Sequence, residues 1–305
     1  MSEGLPDLFP GFEVRRFQTD GAEIFARLGG RGPFLVLLHG YPQTHVMWHR
    51  VAPRLAQRFT LIIPDLRGYG QSSVPADDPE HFSYSKRAMA RDVCAIMDAV
   101  GQNRFMVCGH DRGGRVAYRL ALDKPSRVSR LAVLDIVPTY DMWHGLTPAL
   151  ALKTFHWTFL AQPAPLPERM IGADPIAWLD DRIGSWNGSG KLAAFTPEAL
   201  KHYRAFYAEP ARLHATCEDY RAGATYDLRA DEADRRAGLK IACPTLVLWG
   251  ASGVPAKGHD ALEIWRTWCV DVRGQSISCG HFLPEEAPDE TLGALVPFLE
   301  GSGGA

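Results

Sequence analysis

Val107-Cys108-Gly109-His110-Asp111-Arg112-Gly113-Gly114-Arg115 is the stretch that decides how this 305-residue chain folds. The apolar run at 105–108 reads as a buried strand that ends at Gly109, and a helix is expected to begin near Gly113. Together they match G-x-Nuc-x-G, a sharp strand–turn–helix elbow that lifts one side chain above the edge of a sheet. The glycines are required because the turn brings backbones together and strains φ and ψ. The nucleophile position holds Asp111. An aspartate here could instead cap the following helix. As a nucleophile it implies particular chemistry. A carboxylate with a reference pKa of about 3.9 is already ionised at neutral pH, so it can attack a saturated carbon without a base and form an ester. A histidine is then left to activate water in a second step, which points to carbon–halogen or epoxide substrates.

Working outward, similar apolar runs occur at 34–38, 59–63, 131–134 and 245–249, with a weaker one at 275–278. Continuous apolar runs of this length suit strands buried on both faces. Helical patterns lie between them. The stretch 85–100 places Met89, Val93, Ile96, Met97 and Val100 on one stripe, and 114–122 follows the elbow. Upstream, 12–17 and 22–27 flank Asp20-Gly21, a hairpin signal. Strands alternating with helices predict an α/β fold with a mostly parallel sheet covered on both faces. The alternation stops after Asp135. From about 140 to 239 the pattern is helical and rich in aromatics, and the sheet pattern resumes at Thr245. The expected organisation is a first core segment at 1–139, a helical cap at 140–240 and a second core segment at 241–305. The closing Gly301-Ser302-Gly303-Gly304-Ala305 reads as a frayed tail.

Hydrophobic residues at 46% and charged residues at 22% describe a globular chain and argue against a disordered one. A net charge of −2 gives no basic field that would gather nucleic acid or an anionic membrane. The N-terminus carries neither a basic region nor an apolar run of the signal-peptide kind, and no stretch is long enough to span a bilayer. The six cysteines form no CxxC pair and no zinc-type spacing with histidine, so free thiols in a cytoplasmic protein are expected.

Two further elements complete the elbow. His39-Gly40-Tyr41-Pro42 directly follows the first apolar run. In this H-G-x-P turn the Tyr41 N–H, together with that of Arg112, would form an oxyanion hole for the intermediate built on the carboxyl carbon of Asp111. Ser278-Cys279-Gly280-His281-Phe282-Leu283-Pro284 follows the last strand, which makes His281 the candidate base, and Glu285-Glu286 supply acids at a helix start. The order nucleophile, cap, histidine is that of the α/β-hydrolase fold. The acid that orients the histidine has two possible places. After the penultimate strand the chain reads Trp249-Gly250-Ala251-Ser252-Gly253, where Gly253 cannot serve. After the strand that follows the elbow helix it reads Leu134-Asp135-Ile136, and an aspartate closing an apolar strand needs a partner. Asp135 is the candidate, the alternative being a turn or cap aspartate.

These residues resemble the fluoroacetate (haloacetate) dehalogenases, the haloacid-acting branch of the α/β hydrolases. The similarity covers nearly the whole chain. It includes Leu8-Phe9-Pro10-Gly11, the run from His39 to His49, and Gly109-His110-Asp111-Arg112-Gly113. In the cap it includes the run from His156 to Pro165 and Cys217-Glu218-Asp219-Tyr220-Arg221-Ala222-Gly223, and it ends with the run from Gly280 to Glu286. The resemblance implies hydrolytic dehalogenation of short 2-haloacids such as fluoroacetate, to glycolate and halide, through an Asp111 ester that His281-activated water hydrolyses. It implies that Arg112 and Arg115 hold the substrate carboxylate. Their three-residue spacing and planar guanidinium forks agree with this. It also implies a halide pocket of cap donors at His156, Trp157 and Tyr220, although aromatics in a helical insertion more often only pack. A small anionic haloacid is the expected partner, a homodimer the implied assembly, and no cofactor or metal is needed. Tyr41 departs from the pattern, which has phenylalanine there.

Three other readings compete. A soluble epoxide hydrolase shares the fold and the nucleophile but needs two cap tyrosines, for which Tyr140, Tyr203, Tyr207, Tyr220 and Tyr226 are available, and has no use for Arg112. A haloalkane dehalogenase is disfavoured for the same reason, since tryptophan is expected after its nucleophile. A non-catalytic binding module would have no reason to keep Asp111, His281 and the oxyanion turn together.

Overall fold

The runs read as strands join into one eight-stranded sheet in the order β1-β2-β4-β3-β5-β6-β7-β8, in a computed structural model that describes residues 4–255 and 260–301. The strands are β1 (Glu13–Thr19), β2 (Ala22–Gly30), β3 (Phe34–Leu38), β4 (Thr60–Pro64), β5 (Phe105–His110), β6 (Val128–Leu134), β7 (Thr245–Gly250) and β8 (Val272–Ile277). The Asp20-Gly21 hairpin forms, with Thr19 opposite Ala22, and β2 pairs antiparallel with β4. From β4 to β8 every pairing is parallel. In β5 all six residues are buried. Since alternate residues point to opposite faces, both faces of the sheet are covered there. The weak last run forms an edge strand, half-exposed and starting earlier than its apolar residues suggested, because its register with β7 begins at Thr245 and Val272.

Two helices place the elbow. α1 (Lys86–Ala99) begins where the Ser85 side chain accepts from the Ala88 N–H, and it buries Met89, Val93, Ile96 and Met97. Each such side chain contributes about 1.5–3 kcal/mol when fully buried. α2 (Asp111–Asp123) starts two residues before the expected position, because β5 continues through His110 and the helix opens on the nucleophile itself. It is buried on all sides from Asp111 to Ala121.

Between β6 and β7 lie eight helices: α3 (Thr139–His144), α4 (Pro148–Lys153), α5 (Phe155–Leu160), α6 (Leu166–Gly172), α7 (Pro175–Trp186), α8 (Pro197–Tyr207), α9 (Pro210–Ala224) and α10 (Tyr226–Arg236). Buried polar contacts fasten these helices to α2. The Tyr118 hydroxyl donates to Asp231 at 2.7 Å, and Arg119 pairs with Asp231 and Asp234. After β7 come α11 (Ala261–Trp268), then α12 (Leu283–Glu286) and α13 (Pro288–Glu300). α13 closes on Gly301 at a φ of 78°; the rest of the expected frayed tail lies outside the described residues. All six cysteines are free thiols. Among the described residues no helix is long and apolar enough to cross a membrane.

Candidate active site

Asp111 sits at the first position of α2 with a φ of 44°, a left-handed conformation that an L-residue adopts only at a cost. The turn is tight enough that a Cβ on Gly113 would lie 2.4 Å from the carbonyl oxygens of Leu38 and His39. That crowding presses the elbow against the end of β3, so the H-G-x-P turn lies directly over the carboxylate. The Tyr41 N–H donates to Asp111 Oδ2 at 3.0 Å. The Arg112 N–H, the second expected donor, lies in the first turn of α2, and no hydrogen bond joins it to this carboxylate. Burial alone would raise the Asp111 carboxyl, but the neighbouring charges of His281 and Arg112, with smaller contributions from His110 and Arg115, outweigh it and hold the group below the ordinary carboxylate range. The nucleophile is therefore ionised in place.

His281 follows β8 and faces the same cavity. Its Nδ1 lies 2.6 Å from Asp135 Oδ2. Asp135, at the end of β6 with a φ of 54°, accepts the Gly250 N–H on its other oxygen at 2.9 Å. Both oxygens of the candidate acid are thus engaged, and the histidine is oriented with Nε2 left over. Burial lowers the His281 pKa, but the hydrogen bond and charge of Asp135 outweigh it and raise the imidazole above the ordinary histidine value. His110 packs 4.4 Å from the His281 ring and points its Nε2 at the His281 carbonyl. Burial pushes His110 down to about 3, so it stays neutral and brings no second charge.

The two arginines differ from the expected pair of open forks. Arg112 is fully buried, and the Nε and Nη2 edge of its guanidinium grips both carboxylate oxygens of Asp219 at 3.0 and 2.7 Å. Asp219 also accepts from the Tyr69 hydroxyl and from Lys86, so the cap holds Arg112 through a saturated carboxylate. Only Arg112 Nη1 remains buried without a hydrogen-bond partner. Arg115 donates through Nη1 to the Val137 carbonyl and Thr139 Oγ1, and its Nε is buried and unpartnered. Arg115 lines the cavity; Arg112 stands behind it.

The three expected halide donors do come together. Trp157 and Tyr220 meet edge to face at 6.0 Å, and His156 lies 5.8 Å from Tyr220. The Arg112 guanidinium lies 4.2 Å from the Tyr220 ring centre, and that of Arg115 lies 4.4 Å from the Trp157 ring centre. Among the described residues His156 Nδ1 is buried with no hydrogen-bond partner. Burial pushes His156 down to about 3, so it is a neutral ring with one N–H to donate. His156 and Trp157 border a cavity of about 470 Å³ that also meets Asp111, Arg115, Asp135, Trp186 and His281.

Several residues that shape this site were not foreseen from the sequence. Trp186 packs on His156, His281 and Tyr41 and lines the cavity. The hydroxyl of Tyr41, the residue that departs from the family pattern, turns into the cap. It accepts from Trp178 Nε1 at 2.7 Å and shares a hydrogen bond with the Tyr207 hydroxyl at 3.0 Å. Glu285 is buried against Gln43 and Tyr203, and burial pushes its pKa up to about 8. Asp219 had no readable role beyond its place in a motif. Away from the cavity, Asp77, His214 and Glu218 are spaced as metal ligands could be, but His214 Nδ1 already meets Glu168, and Glu218 is held by Arg221 and His81.

Comparison with known proteins agrees with the fold. Residues 33–288 match the model of the α/β-hydrolase fold family. A fluoroacetate dehalogenase from Burkholderia sp is 44% identical over 96% of this chain and 95% of its own. A soluble epoxide hydrolase from Corynebacterium sp. strain C12 is 32% identical over 88% of this chain and 91% of its own. The crystal structure of an α/β hydrolase from Nostoc sp PCC 7120 superposes with a TM-score of 0.92 at 51% identity, covering 94% of this chain and 98% of that one.

Proposed function

The chain belongs to the α/β-hydrolase fold family, among relatives that include a fluoroacetate dehalogenase, and from that premise we propose that it hydrolyses the carbon–halogen bond of short 2-haloacids such as fluoroacetate. One observation carries the choice of substrate. Arg115, which lines the cavity beside Asp111, keeps its buried Nε without a partner, and Arg112 behind it keeps Nη1 unpartnered. Buried donors of this kind are costly unless an acceptor arrives, and a substrate carboxylate is the acceptor that suits them. A neutral epoxide would leave them unpaired. The epoxide reading also asks for two free cap tyrosines, and of the five candidates Tyr203 and Tyr207 have hydroxyls committed to Glu285 and Tyr41.

In this reading Asp111 Oδ2 is held by the Tyr41 N–H, which leaves Oδ1 to attack the α-carbon. The halide departs with the bonding electrons as the ester C–O bond forms. Trp157, Tyr220 and His156 are the donors proposed for its developing charge. Fluoride needs them most, being a poor leaving group and strongly hydrated. Water then loses a proton to His281 Nε2 and adds to the carboxyl carbon of Asp111. The oxyanion forms on the oxygen facing the Tyr41 N–H; its collapse breaks the ester C–O bond, the leaving alkoxide takes the proton from His281 and departs as the 2-hydroxy acid, and the regenerated Asp111 carboxyl gives its proton to water. The protonated histidine is stabilised by Asp135. A homodimer remains part of the proposal by analogy.

The test is direct. Purified protein is incubated with fluoroacetate, chloroacetate and styrene oxide, and free halide, glycolate and diol are measured. Halide with glycolate supports the reading; diol without halide would replace it with epoxide hydrolysis.

A further inference from the structure

Asp135 is not the only carboxylate committed to the histidine turn. Glu286 lies five residues beyond His281 in α12, and its side chain folds back. Oε2 accepts the Gly280 N–H at 2.9 Å, and Oε1 accepts the Phe282 N–H at 2.8 Å. These are the N–H groups of the two residues that flank His281. Oε2 also accepts the Gly188 N–H of the cap at 2.7 Å. The His281 N–H itself donates to the Trp186 carbonyl at 3.0 Å. The two backbones run so close that a Cβ on Gly280 would lie 2.3 Å from the Gly188 nitrogen. One carboxylate therefore staples the base to the cap segment 186–188, whose residues border the cavity.

We propose that Glu286 is a positioning residue for the water-activating step, fixing the His281 turn against the cap and adding a second negative charge to that of Asp135 at the imidazole. The inference rests on His281 being the base. The groups facing His281 from the elements packed against it are Asp135 from β6, Asp111 and His110 from the elbow, His156 from α5 and Glu286 from α12. His110 and His156 are neutral, so the imidazolium is stabilised by carboxylates alone. Asp111 loses its charge once the ester forms. At that stage Asp135 and Glu286 are the carboxylates left facing the base, which is why the effect should appear in the second half-reaction and not in the first.

Two variants separate reach from charge. Glu286→Asp keeps the charge and shortens the arm; Glu286→Gln keeps the arm and removes the charge. Chloride release in a single turnover reads the attack by Asp111, and decay of the ester, followed by quenched intact-protein mass spectrometry, reads the histidine step. Attack should stay within about threefold of wild type in both variants. Ester decay should slow on the order of tenfold or more in both, as misplacement of a catalytic group does. The acid limb of the ester-decay pH profile should move to lower pH in Glu286→Gln only. Unchanged ester decay in both variants would overturn the proposal, and so would an equal loss in both half-reactions, which marks general damage to the fold. If the wild type releases halide without ever showing an ester, the reading of Asp111 and His281 fails first, and the result is distinguishable from a failure of Glu286 alone.

Discussion

Replacing Gly40 by alanine should disable the nucleophile while leaving the fold standing. A Cβ built on Gly40 lies 2.5 Å from Asp111 Cβ, 2.8 Å from the His110 carbonyl oxygen and 3.0 Å from Asp111 Oδ2. Ordinary contact begins near 3.4 Å, so the elbow and the H-G-x-P turn must part by roughly 0.9 Å. A separation of that size between the Tyr41 N–H and Asp111 Oδ2, now 3.0 Å apart, would lengthen the hydrogen bond past useful range. Misplacement by about 1 Å can cost on the order of 10²-fold in rate, and overpacking costs about 1–3 kcal/mol of stability. The expected result is a loss of about two orders of magnitude in kcat for chloroacetate, with a melting temperature lowered by several degrees and a native circular dichroism spectrum. Gly293 is the control. It lies on the exposed side of α13 with nothing within 4 Å of its added Cβ, so Gly293→Ala should leave kcat unchanged. Wild-type kcat in folded Gly40→Ala would refute the claim that this turn carries the oxyanion donor.

Other outcomes follow from the same geometry. Trp157→Phe and Tyr220→Phe keep the packing and remove a donor, so fluoride release should fall by about 10²-fold and chloride release much less; equal losses for the two halides, measured side by side, would mean that these rings only pack. Arg115→Leu should lower kcat/KM for haloacetates by about 1.5–3 kcal/mol, roughly 10- to 150-fold, with lysine restoring part of it, and chloroacetamide turned over as well as chloroacetate by the wild type would count against the clamp. The pH dependence should divide between the two steps. Asp111 is held below the ordinary carboxylate range and stays ionised in weak acid, whereas the raised His281 must lose its proton before it can act. Near pH 6, below the ordinary histidine value of about 6.5, the first chloride burst should therefore persist while steady turnover falls and ester accumulates; a burst that fades together with turnover would contradict this.

Features legible in the sequence are those that local sterics or short-range order impose. The elbow had to be spelled with glycine at 109 and 113 because the crossing backbones leave no room, and a parallel sheet had to be written as apolar runs. Asp135 could be named because an aspartate ending an apolar strand needs a partner, and Gly253 excluded the alternative place. The start of α2 falls two residues before the expected position because the helix opens on Asp111, whose left-handed φ no propensity would suggest. Long-range polar partners were not readable. Asp219 stands 107 residues from Arg112, and no local period links them. Glu286 looked like an ordinary acid at a helix start, yet its carboxylate faces back to the histidine turn and the cap. The Tyr41 hydroxyl could be noticed as unusual, but only the packing of α7 and α8 places Trp178 and Tyr207 around it.

The covalent Asp111 ester is the centre of the account, and one variant tests it most directly. His281→Asn retains the nucleophile, the oxyanion turn and the arginines and removes only the base. Exposed to chloroacetate, it should release one equivalent of chloride, stop, and carry a carboxymethyl group that peptide mapping places on Asp111. Full turnover by the variant, or halide release with no modification at Asp111, would contradict the mechanism.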